Sequence, residues 1–277
     1  MVNSAKLKVM TTHSALTYTS SEMMTIAAAR LLKDEDVCFV GIGLPSAACN
    51  LARLTHARGI TLIYESGTIG TKPIVLPLSI GDGELCATAL TTVSVPEVFR
   101  YWLQGGRISI GFLSGAQVDR FGNINTTTIG PYGTPKVRLP GSGGAPEIAV
   151  SCGQIFIIMR HTKRAFVEKL DFLTSFGHGR KPYERKELGI KTQGPTVMIT
   201  DLCVMQPDPD TQEFHVTSLH AGVTRDQVRE DTGWDVKFAD EVAETPQPTE
   251  FELNALRDLN LRTANAHGAN GTPDSNG

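Results

Sequence analysis

The amino-acid sequence predicts an α/β fold, built on an open, largely parallel sheet with flanking helices. Short, mainly apolar runs alternate with segments of helical periodicity, which is the pattern of βαβ units. Several of these runs lack polar alternation, as is typical of strands buried on both faces of a parallel sheet. The clearest run, residues 60–64, leads into Glu65 and then a Ser66-Gly67 turn. Because ligands of open α/β sheets bind beyond the carboxyl ends of the strands, Glu65 is predicted to lie where chemistry can occur.

The first half of the chain alternates between helices and strands. Thr19 and Glu22 have capping-box spacing, so a helix is predicted over the apolar run that they precede. Residues 36–40 predict a strand, and residues 46–57 predict a helix after a glycine-containing turn. Residues 71–90 carry few periodic signals, so we expect a loop excursion with short strands there.

The second half is richer in extended segments. Pro96 can open a helix, because proline at the first helical position loses no hydrogen bond. Residues 121–123 (Phe-Gly-Asn) predict a hairpin turn, and the glycine- and proline-rich residues 131–147 predict a loop. Capping residues predict a short helix after Thr224 and a last helix after Thr249. The predicted strands of this half are 107–115, 154–160, 164–173, 196–205 and 213–220.

The chain is predicted to form a single domain. Its 277 residues can bury a full core, and neither an internal repeat nor a linker between two cores is visible. Residues 1–18 are predicted to be a flexible leader, residues 19–262 the folded domain, and the polar, glycine-rich residues 263–277 a disordered tail.

Composition excludes several classes of function. The net charge is −3 and no basic stripe is visible, which argues against nucleic acid or a membrane surface as a partner. The longest apolar run, residues 155–159, is too short to span a bilayer, and the N-terminus lacks a secretory signal. The five cysteines are dispersed, so we expect reduced thiols, a cytoplasmic protein and no metal site.

Glu65 is the leading candidate for a catalytic side chain. A carboxylate after a buried strand is a nucleophile, a general base or a turn former, and the residues alone leave these roles open. Ser66 and Gly67 permit a substrate to approach the backbone closely, although Ser66 lacks the sequence context of a serine hydrolase. A carboxylate in a partly dry pocket loses hydration and becomes a better nucleophile or base.

A glycine-rich loop is the second candidate. Gly141, Gly143 and Gly144 precede a helical run, so their backbone amides could bind an anion or a developing oxyanion. The alternative is a flexible surface connection.

Other polar or glycine clusters carry weaker signals. The Gly41/Gly43 pair is only a partial nucleotide-binding turn, because Ser46 replaces the third glycine. Four polar residues near the hairpin are interpreted as structural: Gln117, Asp119, Asn123 and Asn125. A basic cluster is interpreted as a solvated strand end or a phosphate contact, and it consists of Arg160, His161, Lys163 and Arg164.

Five segments of the chain, matched in order between about residues 20 and 260, resemble the B subunit of family I coenzyme A transferases, closest to the glutaconate CoA-transferase type. They are YESGTIG, GAQVDRFGNINTT, LPGSGGAPEIA, IIMRHTKRAFVEKLDFLTS and SLHAGVTRDQVREDTGW. The resemblance implies a CoA-transferase (NagB/RpiA-like) architecture. It also implies that Glu65 is the catalytic glutamate, which carries CoA as a glutamyl thioester in ping-pong transfer between carboxylates. The substrate- and CoA-binding residues are then expected to be Ser66, Gly67, Gly141, Gly143 and Gly144.

The resemblance also implies an A subunit as partner, in an A2B2 or larger assembly. The expected substrates are a carboxylic acid and a dicarboxylic or catabolic acyl-CoA, with no metal and no cofactor other than CoA as substrate. Two alternatives stay open. One is a CoA-ester hydrolase or decarboxylase on the same fold, and the other is a non-catalytic subunit that stabilises its partner.

Overall fold

The computed structural model describes residues 16–268. Within them, helices pack on both faces of one large sheet. The helices are α1 (Ser20–Ala29), α2 (Leu44–Leu54), α3 (Gly83–Ala87), α4 (Val95–Glu97), α5 (Ala145–Ser151), α6 (Glu184–Glu187), α7 (Arg225–Glu230) and α8 (Glu250–His267), with a π-helix at Val98–Leu103 directly after α4.

The sheet and two small hairpins contain fourteen strands in the described residues. They are β1 (Val37–Val40), β2 (Thr61–Tyr64), β3 (Thr68–Ile69), β4 (Thr91–Thr92), β5 (Ile110–Leu113), β6 (Gln117–Val118), β7 (Ile124–Asn125), β8 (Thr128–Ile129), β9 (Val137–Arg138), β10 (Gln154–Ile158), β11 (Pro195–Ile199), β12 (Cys203–Pro207), β13 (Phe214–Leu219) and β14 (Lys237–Glu244).

The ten-stranded sheet has the order β14-β13-β12-β11-β10-β5-β1-β2-β3-β4. Its five central strands, from β11 to β2, are parallel. Antiparallel pairing continues the sheet through β12 and β13 at one end and through β3 and β4 at the other, and β14 then pairs in parallel with β13. The predicted α/β class with a largely parallel sheet is therefore confirmed. Parallel strands direct their carboxyl ends to one edge, and the candidate site lies at that edge.

Two hydrophobic cores lie on opposite faces of this sheet. On one face, α1, α2 and α8 pack over Cys38, Val40, Leu62 and Tyr64. On the other face, α5 and the π-helix pack over Phe39 and Ile63. Since successive strand residues alternate between faces, Glu65 follows Tyr64 onto the α5 side.

Local helix signals predicted the structure well. Thr19 and Glu22 form the capping box of α1, Thr249 and Glu252 form that of α8, and the Thr224 hydroxyl caps α7. Each interaction spans only three residues, so the sequence specifies it directly.

Predictions of extended segments were less accurate. Residues 164–173 were predicted to be a strand, but only Phe166 makes an isolated bridge, to Val118. Conversely, the charged, largely exposed β14 was not anticipated.

The predicted boundary of the tail at residue 263 differs from the structure, in which α8 continues to His267. Thr263 is buried, and its Oγ1 accepts a hydrogen bond from the Leu76 amide at 2.8 Å. Thr263 lies seven residues after Leu256, so it falls on the same buried face of the helix as that leucine. The rest of the predicted tail, 269–277, and residues 1–15 of the predicted leader lie outside the described residues.

Across residues 16–268, no helix is long and apolar enough to cross a membrane. The same residues contain no group of three His, Cys, Asp or Glu side chains placed to bind a metal ion.

Candidate active site

Glu65 lies at the carboxyl end of β2, in a tight turn. The Gly67 amide donates to the Tyr64 carbonyl at 3.0 Å, and the chain then returns as β3. Gly67 has a φ of +106°, and a Cβ there would lie 1.9 Å from the Val93 carbonyl oxygen. Glycine is therefore required for the chain to turn back directly after Glu65.

Tyr64 anchors this turn from the opposite face of the sheet. Its side chain is fully buried, and its hydroxyl lies 2.7 Å from Ser46 Oγ on α2. Burial raises the pKa of Tyr64 far above its usual value, so the hydroxyl stays neutral. Within α2, Asn50 donates to the Ser46 carbonyl at 2.9 Å, one turn along the helix. The end of β2 is thereby fixed, and with it the position of Glu65.

The glycine-rich loop and Glu65 meet in the folded chain. A Cβ on Gly144 would lie 2.9 Å from Glu65 Oε1 and 2.6 Å from Cζ of Phe99. Phe99 belongs to the π-helix, and its ring packs edge-on against Phe39 with centroids 5.9 Å apart. The Glu65 carboxylate therefore lies beside the backbone of Gly144, which has no side chain, and beside the ring of Phe99.

The Glu65 carboxylate has no hydrogen-bond or ion-pair partner among residues 16–268, although its side chain is half-buried. Over the same part of the chain, Ser66 Oγ and Thr68 Oγ1 are buried without partners. Buried polar groups are usually hydrogen-bonded, so the Ser66 hydroxyl has unused bonding capacity directly after Glu65. Thr68 precedes Ile69, which shares a face of the sheet with Ile63, so its hydroxyl lies on the face opposite Glu65.

The backbone amides of the predicted binding glycines divide into two groups. The Gly67 amide is used by its turn, and the Gly141 amide donates to the Thr126 carbonyl at 2.9 Å. The amides of Gly143 and Gly144 donate to no acceptor in the described part of the chain. These two, and not Gly67 or Gly141, are the amides that a developing oxyanion could use.

The polar hairpin residues have the predicted structural role. Asp119 accepts hydrogen bonds from the Phe121 and Asn123 amides at 3.0 Å and from Asn123 Nδ2 at 2.9 Å. Asn125 donates to Gln117 Oε1 at 2.7 Å across the hairpin. Burial raises the pKa of Asp119, partly offset by these donors.

The basic cluster is divided by the fold. His161 is buried and stacks on Phe166 with ring centroids 3.7 Å apart, and its Nε2 lies 2.9 Å from Thr232 Oγ1. Burial lowers the pKa of His161 to about 3, so the imidazole is neutral at pH 7. Arg160 is exposed next to it and lines a cavity.

This cavity, of about 710 Å³, was not anticipated from the sequence. It lies beyond the carboxyl ends of β1, β5 and β10, between the sheet edge and helices α1, α2 and α8. Buried apolar side chains form its floor: Leu76, Phe112, Leu113, Ile158, Met159 and Leu256. Exposed polar side chains form its rim: Thr19, Ser114, Arg160 and Asn260. The only sequence signal was that Gly41 follows one predicted strand and that Ser114 and Arg160 lie at the carboxyl ends of two others.

The chain resembles known proteins over most of its length. The family model for coenzyme A transferase matches residues 21–231. The chain is 63% identical over 254 residues to the B subunit of 3-oxoadipate CoA-transferase from Pseudomonas knackmussii, covering 92% of this chain and 98% of that one. It is 34% identical over 243 residues to the B subunit of glutaconate CoA-transferase from Acidaminococcus fermentans, covering 85% and 91%. The crystal structure of the glutaconate enzyme superposes with a TM-score of 0.81 at 31% identity, over 87% of this chain and 94% of that one.

Proposed function

The chain belongs to the coenzyme A transferase family, and from this premise we propose that it is the B subunit of an acyl-CoA:carboxylate CoA-transferase with Glu65 as its nucleophile. One observation carries the assignment of the nucleophile. The Glu65 carboxylate lies at a parallel strand end, against Gly144, without a hydrogen-bond donor from residues 16–268. A carboxylate that is not tied to donors keeps its lone pairs for attack on a carbonyl carbon.

The proposed reaction proceeds through anhydrides and a thioester. A carboxylate oxygen of Glu65 attacks the thioester carbon of the acyl-CoA, and the C–S bond breaks to give an acyl-glutamyl anhydride and CoA thiolate. The thiolate then attacks the glutamyl carbonyl of the anhydride, which releases the first carboxylate and leaves a glutamyl-CoA thioester. The acceptor carboxylate reverses both steps and departs as its own CoA ester.

The surrounding residues have separate roles in this proposal. Each attack places negative charge on an oxygen, and the amides of Gly143 and Gly144 are the candidate donors to it. The Phe99 ring covers one side of the carboxylate and limits the approach of water, which would hydrolyse the anhydride. Ser66 Oγ, buried without a partner in the described residues and next in sequence to Glu65, is the proposed donor to a substrate oxygen.

Both named relatives act on dicarboxylic acids, 3-oxoadipate and glutaconate. We extend this to the chain and propose a dicarboxylic acyl group of similar length as its substrate. Both relatives are also B subunits, so an A subunit is the proposed partner, in an A2B2 or larger assembly. All five cysteines are free thiols, which supports the cytoplasm as the proposed location.

The proposal is tested on the chain co-purified with its A subunit. The complex is incubated with succinyl-CoA or 3-oxoadipyl-CoA without acceptor, treated with borohydride and digested, and the peptide containing Glu65 is analysed by mass spectrometry. Reduction of Glu65 to the alcohol, together with CoA transfer when a carboxylic acid is added, is the expected result. Glu65→Gln in the same complex is the matched control and should give no reduced peptide.

Other results identify the alternatives. Release of CoA or carbon dioxide without an acceptor and without modification of Glu65 would identify a hydrolase or decarboxylase. Full transfer by the Glu65→Gln complex would mean that the chain only stabilises its partner.

A further inference from the structure

Arg185 on α6 is a buried cation that the proposed mechanism does not use. Its side chain lies inside the fold, and no carboxylate of residues 16–268 lies within ion-pair distance of it. Burial lowers the pKa of Arg185 to about 10, so the guanidinium still carries its charge at pH 7. A buried charge is costly unless hydrogen bonds satisfy it, so the acceptors around this guanidinium identify the segments that it connects.

One nitrogen of the Arg185 guanidinium is bound to the C-terminal half of α5. Nη2 donates to the Ala149 carbonyl at 3.2 Å and to Thr192 Oγ1 at 2.7 Å. The Thr192 hydroxyl donates in turn to the Val150 carbonyl at 2.8 Å. Gly144 is the N-cap residue of the same helix. Because backbone hydrogen bonds make a short helix move as one unit, the contact at Ala149 also holds Gly144 in place.

The other terminal nitrogen of Arg185 is connected to the opposite end of the glycine-rich loop. Nη1 donates to the Gly177 carbonyl at 2.8 Å. Thr174, in the same segment, accepts a hydrogen bond on its Oγ1 from the Thr126 amide at 3.0 Å. The Thr126 carbonyl then accepts from the Gly141 amide at 2.9 Å. This series of contacts leads from Arg185 to the first glycine of the loop.

The loop between these two connections contains the amides that are the candidate donors to an oxyanion. The amides of Gly143 and Gly144 donate to no acceptor in the described part of the chain, so no hydrogen bond of their own fixes their direction. Their direction therefore depends on where the two ends of the loop are held. Gly144 is also the residue beside the carboxylate, because a Cβ there would lie 2.9 Å from Glu65 Oε1.

We propose that Arg185 is a positioning residue: it holds both ends of the loop Gly141–Gly144 and so keeps the Gly143 and Gly144 amides aligned beside Glu65. This inference rests on the proposed function, since it concerns the geometry of the same site. Oxyanion donors stabilise a transition state most when they are already oriented before the reaction. None of the hydrogen bonds of Arg185 within residues 16–268 reaches Glu65, so it acts through α5 and the loop.

The test compares kcat and KM for CoA transfer by A–B complexes with wild-type, Arg185→Met and Arg185→Lys chains. Each rate is divided by the folded fraction, measured by circular dichroism at the assay temperature. We expect Arg185→Met to lower kcat by about 10- to 100-fold, the effect of displacing reacting groups by roughly 1 Å. The KM for acyl-CoA should change little, because the amides act on charge that develops in the transition state. Arg185→Lys keeps the charge and some of the donors, so it should recover part of kcat.

A milder variant covers the case in which Arg185→Met does not fold. Thr192→Val removes only the hydroxyl between the guanidinium and the Val150 carbonyl. It should lower kcat in the same direction, by a smaller factor, while Thr192→Ser retains the hydroxyl and should resemble the wild-type chain.

Arg30→Met is the matched control for loss of stability. Arg30 also connects distant segments, since it donates to the Gln247 carbonyl at 2.9 Å and pairs with Glu252 at 2.7 Å. These contacts join α1 to α8 on the face of the sheet opposite α5. Arg30→Met should lower the thermal unfolding temperature but leave kcat per folded complex unchanged.

A double variant identifies the route by which Arg185 acts. If Arg185 works through the loop, Arg185→Met and Gly144→Ala disturb the same geometry, and their effects on kcat should combine to less than the product of the two. Multiplicative effects would show that Arg185 does not act through Gly144 and would overturn the inference. Wild-type kcat per folded complex in Arg185→Lys and Thr192→Val, or in Arg185→Met, would overturn it as well. The absence of CoA transfer by the wild-type complex would instead reject the proposed function, so the two failures are distinguishable.

Discussion

Gly144 and Glu65 lie side by side: a methyl group at Gly144 would lie 2.9 Å from Glu65 Oε1 and 2.6 Å from Phe99 Cζ. The contact joins the N-terminal end of α5 to the turn after β2, two segments that are far apart in the sequence. Because the φ of Gly144 is −82°, backbone conformation does not require glycine there. Glycine is favoured at position 144 because any side chain there would crowd the Glu65 carboxylate and the Phe99 ring.

Gly144→Ala should therefore reduce catalysis without unfolding the protein. The methyl group would displace the Glu65 carboxylate, and a displacement of about 1 Å can cost roughly 10²-fold in rate. The measurement is kcat for CoA transfer by the A–B complex, together with thermal unfolding. Gly133→Ala is the control, because a Cβ at Gly133 meets nothing within 4 Å. Equal activity of the two variants would show that the contact does not matter to the reaction.

Substitutions of Glu65 should separate chemistry from stability. Glu65→Gln removes the nucleophile at nearly constant volume and is expected to lower kcat by more than about 10³-fold. Glu65→Asp retains the carboxylate but withdraws it by one methylene, with an expected loss of roughly 10²-fold. Urea unfolding should change little in either variant, since residues 16–268 offer the carboxylate no partner. A large loss of stability in Glu65→Gln would indicate a structural role instead.

Burial of His161 predicts a loss of stability in acid. Its pKa is about 3 in the folded chain and about 6.5 when unfolded, so below pH 6.5 the unfolded state binds a proton that the folded state excludes. This contribution to stability falls as the pH drops from about 6.5 towards 3. His161→Gln should flatten the dependence of the unfolding free energy on pH between 6 and 4, by about 1.4 kcal/mol per pH unit.

Urea unfolding of the wild-type and His161→Gln chains at several pH values measures this difference. Burial also lowers the pKa of His178 and His220, but both histidines are present in each protein and so cancel in the comparison. Parallel pH profiles would mean that His161 is protonated in the folded state.

The last turn of α8 should contribute measurably to stability. Thr263→Val keeps the shape of the side chain but leaves the buried Leu76 amide without its acceptor. The expected loss is about 1–3 kcal/mol of unfolding free energy in urea. Thr263→Ser retains the hydroxyl and should lose much less. If Thr263→Val were as stable as the wild-type protein, the hydrogen bond between Leu76 and α8 would not contribute to the free energy of unfolding.

Local interactions are what the sequence predicted best. The capping boxes of Thr19 and Thr249 and the hairpin bonds of Asp119 are made within a few residues, so spacing alone identifies them. The strand-to-turn transition at Glu65 is local in the same sense. Residues 164–173 are the contrary case, because their apolar pattern does not form a strand without a neighbouring edge to pair with.

The sequence by itself determined the α/β class, the capped helices, and the placement of a carboxylate at a strand end. These depend on hydrogen bonds and periodicities that extend over a few residues. Only the tertiary structure decided that Gly144 and Phe99 lie against Glu65, that His161 is buried while Arg160 is not, and that strands β1, β5 and β10 end at a common cavity. Such contacts arise when distant segments share one core, and burial then sets the pKa and packing of each side chain, which no short stretch of sequence specifies.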